Sequence, residues 1–268
     1  LGSVRADSEV APGKNGFDEW ASAPNFYENS PLFSHNGKVI ETKGESSAVT
    51  VDLALKWMAK VKDKPFLSVI WFGNPHGPHI GTEKFLKMYE GETKAYANFY
   101  AEITGMDAAM GQLRKGLRKL GVAGNTILWY CSDNGGLKPN SMAGLSGKKG
   151  KLLEGGIRVP LILRWPNVLS AGKESAMPIS AMDLTATIAA AGGVIPPEDK
   201  PFDGVDIVPV LLGETQVSQS RPLFFRRRDI TFRQNLNSIR QSAVRQGKWK
   251  YLRNYKKNDN EKYTATLI

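Results

Sequence analysis

Apolar residues recur at helical spacing early in the chain, at Val51, Leu53, Leu55, Trp57, Met58 and Val61. This spacing predicts a helix over 49–61, stopped by Lys64-Pro65. The run at 66–72 is almost wholly apolar and lies between Pro65 and Gly73, which predicts a strand covered on both faces. Tyr100, Ile103, Met106, Met110, Leu113 and Leu117 share one side of a long helix over 96–120, ended by Gly121 and Gly124. Apolar runs at 126–131 and 159–164 predict two further strands, and 182–191 another helix. This alternation predicts an α/β fold whose mixed, largely parallel sheet is sandwiched by helices. Ligands of such sheets sit in loops at the carboxyl ends of strands. After Gly213 the pattern shortens to strand-like pieces at 223–225, 242–244 and 249–252, with a tight turn at Gln246-Gly247. The expected organisation is an α/β domain over 1–212 and a small antiparallel subdomain over 213–268. Residues 1–45, rich in Gly, Pro, Ser and Asn, read as surface loops.

Composition narrows the class. Of the 268 residues, 41% are hydrophobic and 23% charged, which supports a sizeable core and excludes wholesale disorder. No apolar run is long enough to span a membrane. The first residues lack the charged start and apolar centre of a signal peptide, and the chain does not open on Met, so they carry no information on export. Cys131 is the single cysteine, which excludes an internal disulfide or a multi-cysteine zinc site, and it reads as a buried core thiol. The net charge of +10 gathers at Lys148-Lys149-Lys151, at Arg226-Arg227-Arg228 and over 248–257. Such clusters suit anionic partners or a solvated basic face. No nucleic-acid-binding motif accompanies them, so neither nucleic acid nor a membrane is expected as partner.

Three stretches carry candidate chemistry. Ser132-Asp133-Asn134-Gly135-Gly136 directly follows a strand. It reads either as a plain turn or as adjacent oxygen donors for a hard cation, with glycines permitting close backbone approach. Residues 74–79 also follow a strand and hold His76 and His79, readable as structural groups or as donors to an anionic oxygen. Residues 147–160 place Lys148 and Lys149 between glycines, then a Glu-Gly-Gly turn and Arg158. Either lysine offers a compact charge to a tetrahedral anion, and Arg158 reads as a brace for a carboxylate. A cation site, an imidazole and an ammonium group together suit sulfate or phosphate, because charge stabilisation dominates such chemistry.

The same residues carry a family resemblance. Asn74-Pro75-His76, the 106–111 helix segment, 130–136, Lys149 through Pro160, 182–187, 202–205, 220–222 and 244–251 run in the order of the type I sulfatases of the alkaline phosphatase superfamily. The resemblance covers the C-terminal two-thirds of that family. It implies that Asp133 and Asn134 ligate Ca2+, that Lys149 rather than Lys148 holds the sulfate, and that His76 contacts the ester and assists the leaving alcohol. It gives His79 no firm role. It further implies a formylglycine nucleophile made within Cys/Ser-x-Pro-x-Arg, and no such motif occurs here. Leu1-Gly2 is similar to the end of a family segment that carries further site residues. The family's paired N-terminal aspartates have no counterpart either.

The resemblance therefore implies a calcium-assisted sulfuric ester hydrolase acting on sulfate esters, with sulfated carbohydrates as a candidate class, in a periplasmic or extracellular setting. The 268 residues alone are expected to be inactive and to aggregate, since apolar sheet edges would be exposed. The alternatives are a phosphoesterase of the same superfamily and a non-catalytic polyanion-binding protein.

Overall fold

The computed structural model describes residues 5–25, 27–138, 141–214, 221–227, 240–255 and 262–268. The sequence-based readings at Leu1-Gly2, Ser220, Arg228, Lys256 and Lys257 lie outside the described residues. The chain divides into two units, Leu1–Gly124 and Asn125–Ile268.

The first unit opens with three short strands, β1 (Ala21–Ser22), β2 (Phe33–His35) and β3 (Lys38–Ile40), paired antiparallel in that order. They lie in a region expected to be loops. The signal was Asn36-Gly37, whose φ values of 49° and 87° give the left-handed turn that tight hairpins favour.

Helix α1 (Ser46–Val61) starts at Glu45, whose carboxylate accepts the Ala48 N–H at 2.8 Å. After the single turn α2 (Glu83–Leu86), the long helix α3 (Lys94–Lys119) begins at Thr93, whose hydroxyl accepts the Tyr96 N–H. Helix α3 buries Ala97, Ala101, Gly105, Ala109, Leu113 and Leu117, one stripe at four-residue spacing. Small residues on the stripe let α1 approach closely. A Cβ on the neighbouring Gly116 would sit 2.4 Å from the side chain of Leu55.

Segment 66–72 belongs to no helix or ladder among the described residues. Its exposure alternates: Leu67, Val69 and Trp71 are exposed, with Trp71 at 85%, and Phe66, Ile70 and Phe72 are half-buried. The doubly covered strand expected here is therefore covered on one side only. Exposed apolar side chains outside any ladder promote self-association. The purified 268-residue chain is expected to sediment as concentration-dependent oligomers, and Trp71→Lys to raise its monomer fraction. Unchanged sedimentation would remove this segment as the cause.

In the second unit β4 (Leu128–Cys131), the single turn α4 (Glu154–Ile157) and β5 (Leu161–Arg164) come first. Strands β4 and β5 pair antiparallel, and every ladder among the described residues is antiparallel. The sequence predicts a mixed, largely parallel sheet without assigning this pair. Parallel neighbours need a crossover, usually a full helix, and the described residues of 132–160 supply one helical turn, α4, before Leu161 pairs with Cys131. Cys131, expected in the core, is exposed because it ends a strand flanked on one side only. Helix α5 (Ala181–Ala191) carries a capping box between Ser180 and Asp183. Helix α6 (Val208–Leu212) follows. Strands β6 (Leu223–Arg227), β7 (Gln241–Gln246), β8 (Trp249–Tyr255) and β9 (Tyr263–Leu267) form an antiparallel sheet in chain order. The turn at Gln246-Gly247 is where the sequence predicted it, with Gly247 at φ 55°.

Candidate active site

In the first unit the loop bearing His76 is clamped at both ends. The buried amide of Asn74 donates to Glu45 Oε1 at 2.7 Å and to Ser47 Oγ at 3.2 Å. At the other end Glu102, 2% exposed, takes His79 Nδ1 at 2.7 Å and the Ile80 N–H at 2.7 Å. The Gly81 N–H donates to Asn98 Oδ1 at 2.8 Å. A buried carboxylate stays in place only when its lone pairs are satisfied, and Glu102 meets that condition through this loop. His79 therefore holds the loop onto α3, and its ring also packs edge-on against Phe99. His76 stands exposed between the clamps. Its Nδ1 lies 2.7 Å from the Gly77 carbonyl, which only accepts, so Nδ1 is the donor of that hydrogen bond.

In the second unit two motif loops interlock through their backbones. The Gly135 N–H donates to the Gly156 carbonyl at 3.0 Å, the Lys149 N–H to the Gly136 carbonyl at 3.0 Å, and the Gly155 N–H to the Ser146 carbonyl at 2.7 Å. The glycines make this approach possible. A Cβ on Gly135 would lie 1.8 Å from the Gly155 oxygen, and one on Gly156 would lie 2.1 Å from the Lys151 oxygen. The stretch 132–136 is thus a turn, and also the partner of the lysine loop. Lys149 is half-buried and Lys148 exposed. No carboxylate pairs with either ammonium group among the described residues.

The C-terminal sheet braces the lysine loop. Gln241 on β7 accepts the Leu152 N–H at 3.1 Å, and Lys250 on β8 donates to the Leu152 carbonyl at 3.1 Å. Lys250 also forms an ion pair with Glu154. Leu152 packs with Ala243 and Leu252 beneath these bonds. Arg158 was expected to pair with a carboxylate. It is exposed, no carboxylate meets it among the described residues, and Lys250 does the bracing.

Asp133 and Asn134 lie at the end of β4, hydrogen-bonded to one another through their side chains. Asp133 is exposed and Asn134 half-buried. They are hard oxygen donors and fit a hard cation in kind, as two of the six to eight oxygens calcium takes. Among the described residues no group of three or more His, Cys, Asp or Glu is placed to hold a metal ion. Among the described residues no helix is long and apolar enough to cross a membrane.

Asp183 ties three further motif segments together away from these loops. It is fully buried and receives the Arg221 fork at 2.8 and 2.6 Å, the Ser180 N–H at 2.7 Å and the Val205 N–H at 2.9 Å. Burial pushes its pKa up. The Arg221 fork and the two N–H bonds overcome this and hold it below the ordinary carboxylate value.

The chain belongs to the sulfatase family. The family model described as Sulfatase matches residues 3–194, and the model for the C-terminal part of N-sulphoglucosamine sulphohydrolase matches residues 147–265. Rat (Rattus norvegicus) steryl-sulfatase is 36% identical over 178 residues, covering 63% of this chain and 30% of the relative. Human (Homo sapiens) arylsulfatase H is 32% identical over 222 residues, covering 78% of this chain and 39% of the relative. The chain spans well under half the length of these relatives. The solved structure of Ps i-CgsB, in complex with k-i-k-neocarrahexaose, matches at a TM-score of 0.81 with 24% identity, over 97% of this chain and 61% of that one. The alkaline phosphatase-like α/β fold expected from the sequence is therefore that of the chain, with its antiparallel C-terminal sheet.

Proposed function

We propose that this chain supplies part of the active site of a sulfuric ester hydrolase of the arylsulfatase kind, with sulfated carbohydrate as its substrate class. The observation that carries this reading is the interlock of the 132–136 and 147–156 loops. It fastens the backbone of Lys149 to Gly136, three residues from Asp133. Lys149 would hold a sulfate oxygen as a compact charge. Its half-buried position and the absence of a carboxylate partner among the described residues leave that charge available, whereas exposed Lys148 is less shielded from water. His76, on its clamped loop, would protonate the departing alcohol oxygen. Asp133 and Asn134 would hold calcium, which when bound supplies positive charge that offsets the sulfate oxygens. The nucleophile belongs, on this reading, to a longer product of the same coding region. The carbohydrate substrate is supported by the net charge of +10 and by the sugar bound to the Ps i-CgsB relative. A periplasmic or extracellular setting follows from the family resemblance.

The test is turnover of nitrophenyl sulfate and nitrophenyl phosphate by the longest in-frame product, with and without a calcium chelator. The expected result is preference for the sulfate ester and loss of activity on chelation, with no turnover by the 268-residue chain alone. Preference for the phosphate would make the protein a phosphoesterase, and turnover of neither ester would remove the catalytic reading.

A further inference from the structure

The C-terminal sheet has two unlike faces. One buries Leu223, Gln241, Ala243, Lys250 and Leu252 and braces the lysine loop. Strand alternation sends the intervening residues to the opposite face. An antiparallel sheet with one solvated face ordinarily presents polar residues there. This one presents Phe224 at 72% exposure, Trp249 at 54% and Tyr263 at 40%, with Tyr251 among them.

Two arginines stand on the same face. Arg226 on β6 and Arg253 on β8 share one row, with Ser242 of β7 between them. Neighbouring strands lie about 4.8 Å apart, so the two arginines are about 10 Å apart across the row. The Arg253 guanidinium lies 4.6 Å from the Tyr263 ring centre and 5.3 Å from that of Tyr251. The Arg253 Nε also donates to the Tyr251 hydroxyl at 3.4 Å, and together these contacts orient the guanidinium on the face. No residue of the four strands is acidic.

We propose that this outer face is an accessory binding surface for a sulfated polysaccharide, separate from the face that braces the Lys149 loop. The aromatic rings stack on the apolar faces of sugar rings. The arginine forks meet sulfate oxygens on successive parts of the chain. The absence of acidic side chains from the four strands makes them complementary to a polyanion. The inference rests on the proposed sulfate-ester reading for the chemistry of the ligand, and it goes beyond that reading by assigning the polymer a second point of attachment.

The test uses the longest in-frame product and labelled heparin, with chemically desulfated heparin and a single-stranded oligonucleotide as comparisons. Arg226→Ala and Phe224→Ala alter exposed side chains, so unchanged melting temperatures are expected and make the binding result readable. The double variant Arg226→Ala/Arg253→Ala is expected to weaken heparin binding about tenfold or more, and to lower the slope of log affinity against log salt by roughly one to two. Phe224→Ala is expected to weaken binding without changing that slope. Desulfated heparin binding as well as heparin, equal binding of the oligonucleotide, or unaltered heparin binding by the variants would each overturn the proposal. Nitrophenyl sulfate, too small to span this face, reads the catalytic assignment separately. A protein that binds heparin through Arg226 and Arg253 yet hydrolyses no sulfate ester supports the surface and removes the catalysis.

Discussion

Gly135→Ala is expected to lower the stability of the second unit by at least about 3 kcal/mol, the upper range for overpacking. The added Cβ would lie 1.8 Å from the Gly155 oxygen and 2.7 Å from its carbonyl carbon. Both are backbone atoms, so no side-chain rotation relieves the clash. The loops must separate, and the Gly135 N–H and Gly156 carbonyl then lose their bond. Separation also releases the Lys149 N–H from Gly136, so activity is expected to fall with stability. Gly111→Ala is the matched control, since nothing lies within 4 Å of its added Cβ in the middle of α3. There alanine favours the helix by about 0.5–1 kcal/mol. Denaturant melts of the two variants should move in opposite directions. A Gly135→Ala protein as stable as the parent would mean the interlock is looser than described.

Asp183→Ala is expected to cost about 3–5 kcal/mol, the usual penalty for leaving half of a buried ion pair behind. Arg221 would lose both of its carboxylate oxygens, and the N–H groups of Ser180 and Val205 would lose their acceptors. Arg221→Lys is expected to recover little, because an ammonium group cannot reproduce a two-pronged fork. The pair also sets a direction for pH. The folded-state pKa of Asp183 lies below its value of about 3.9 in an unfolded chain. Its contribution is therefore complete above that unfolded value and is lost as pH falls through the folded value. In Asp183→Ala the acid limb of stability against pH should flatten. An unchanged acid limb would mean that other carboxylates govern it.

The elements that were legible are those with a local period. The spacing of α1 read directly, as did the existence of α3 and the loops at 74–79, 132–136 and 147–160. The packed face of α3 did not: of the six side chains expected to share it only Leu113 and Leu117 are buried, because the small residues Ala97, Ala101, Gly105 and Ala109 take the close contact and leave Ile103 exposed. The Asn36-Gly37 hairpin was equally local and was overlooked within a segment that read as loop. Segment 66–72 was misjudged because an apolar run does not say whether one face or two will be covered. The braces of the site were hidden for a different reason. Gln241 and Lys250 reach Leu152 across 89 and 98 residues of sequence. The only sign of them is polar residues at the inward parity of a strand. Glu45 caps α1 and Glu102 lies on α3, and in the sequence each reads as an ordinary solvated carboxylate. Each becomes a clamp only once the fold brings the 74–81 loop to it.

In the proposed reaction Lys149 is the charge that holds the ester sulfate. The most direct measurement is kcat/KM for nitrophenyl sulfate with the longest in-frame product carrying Lys149→Ala or Lys148→Ala. A loss of about a hundredfold or more is expected for Lys149→Ala, the scale for removing one preorganised charge stabiliser, and little change for Lys148→Ala. Equal losses in both variants, or a larger loss for Lys148→Ala, would contradict this assignment.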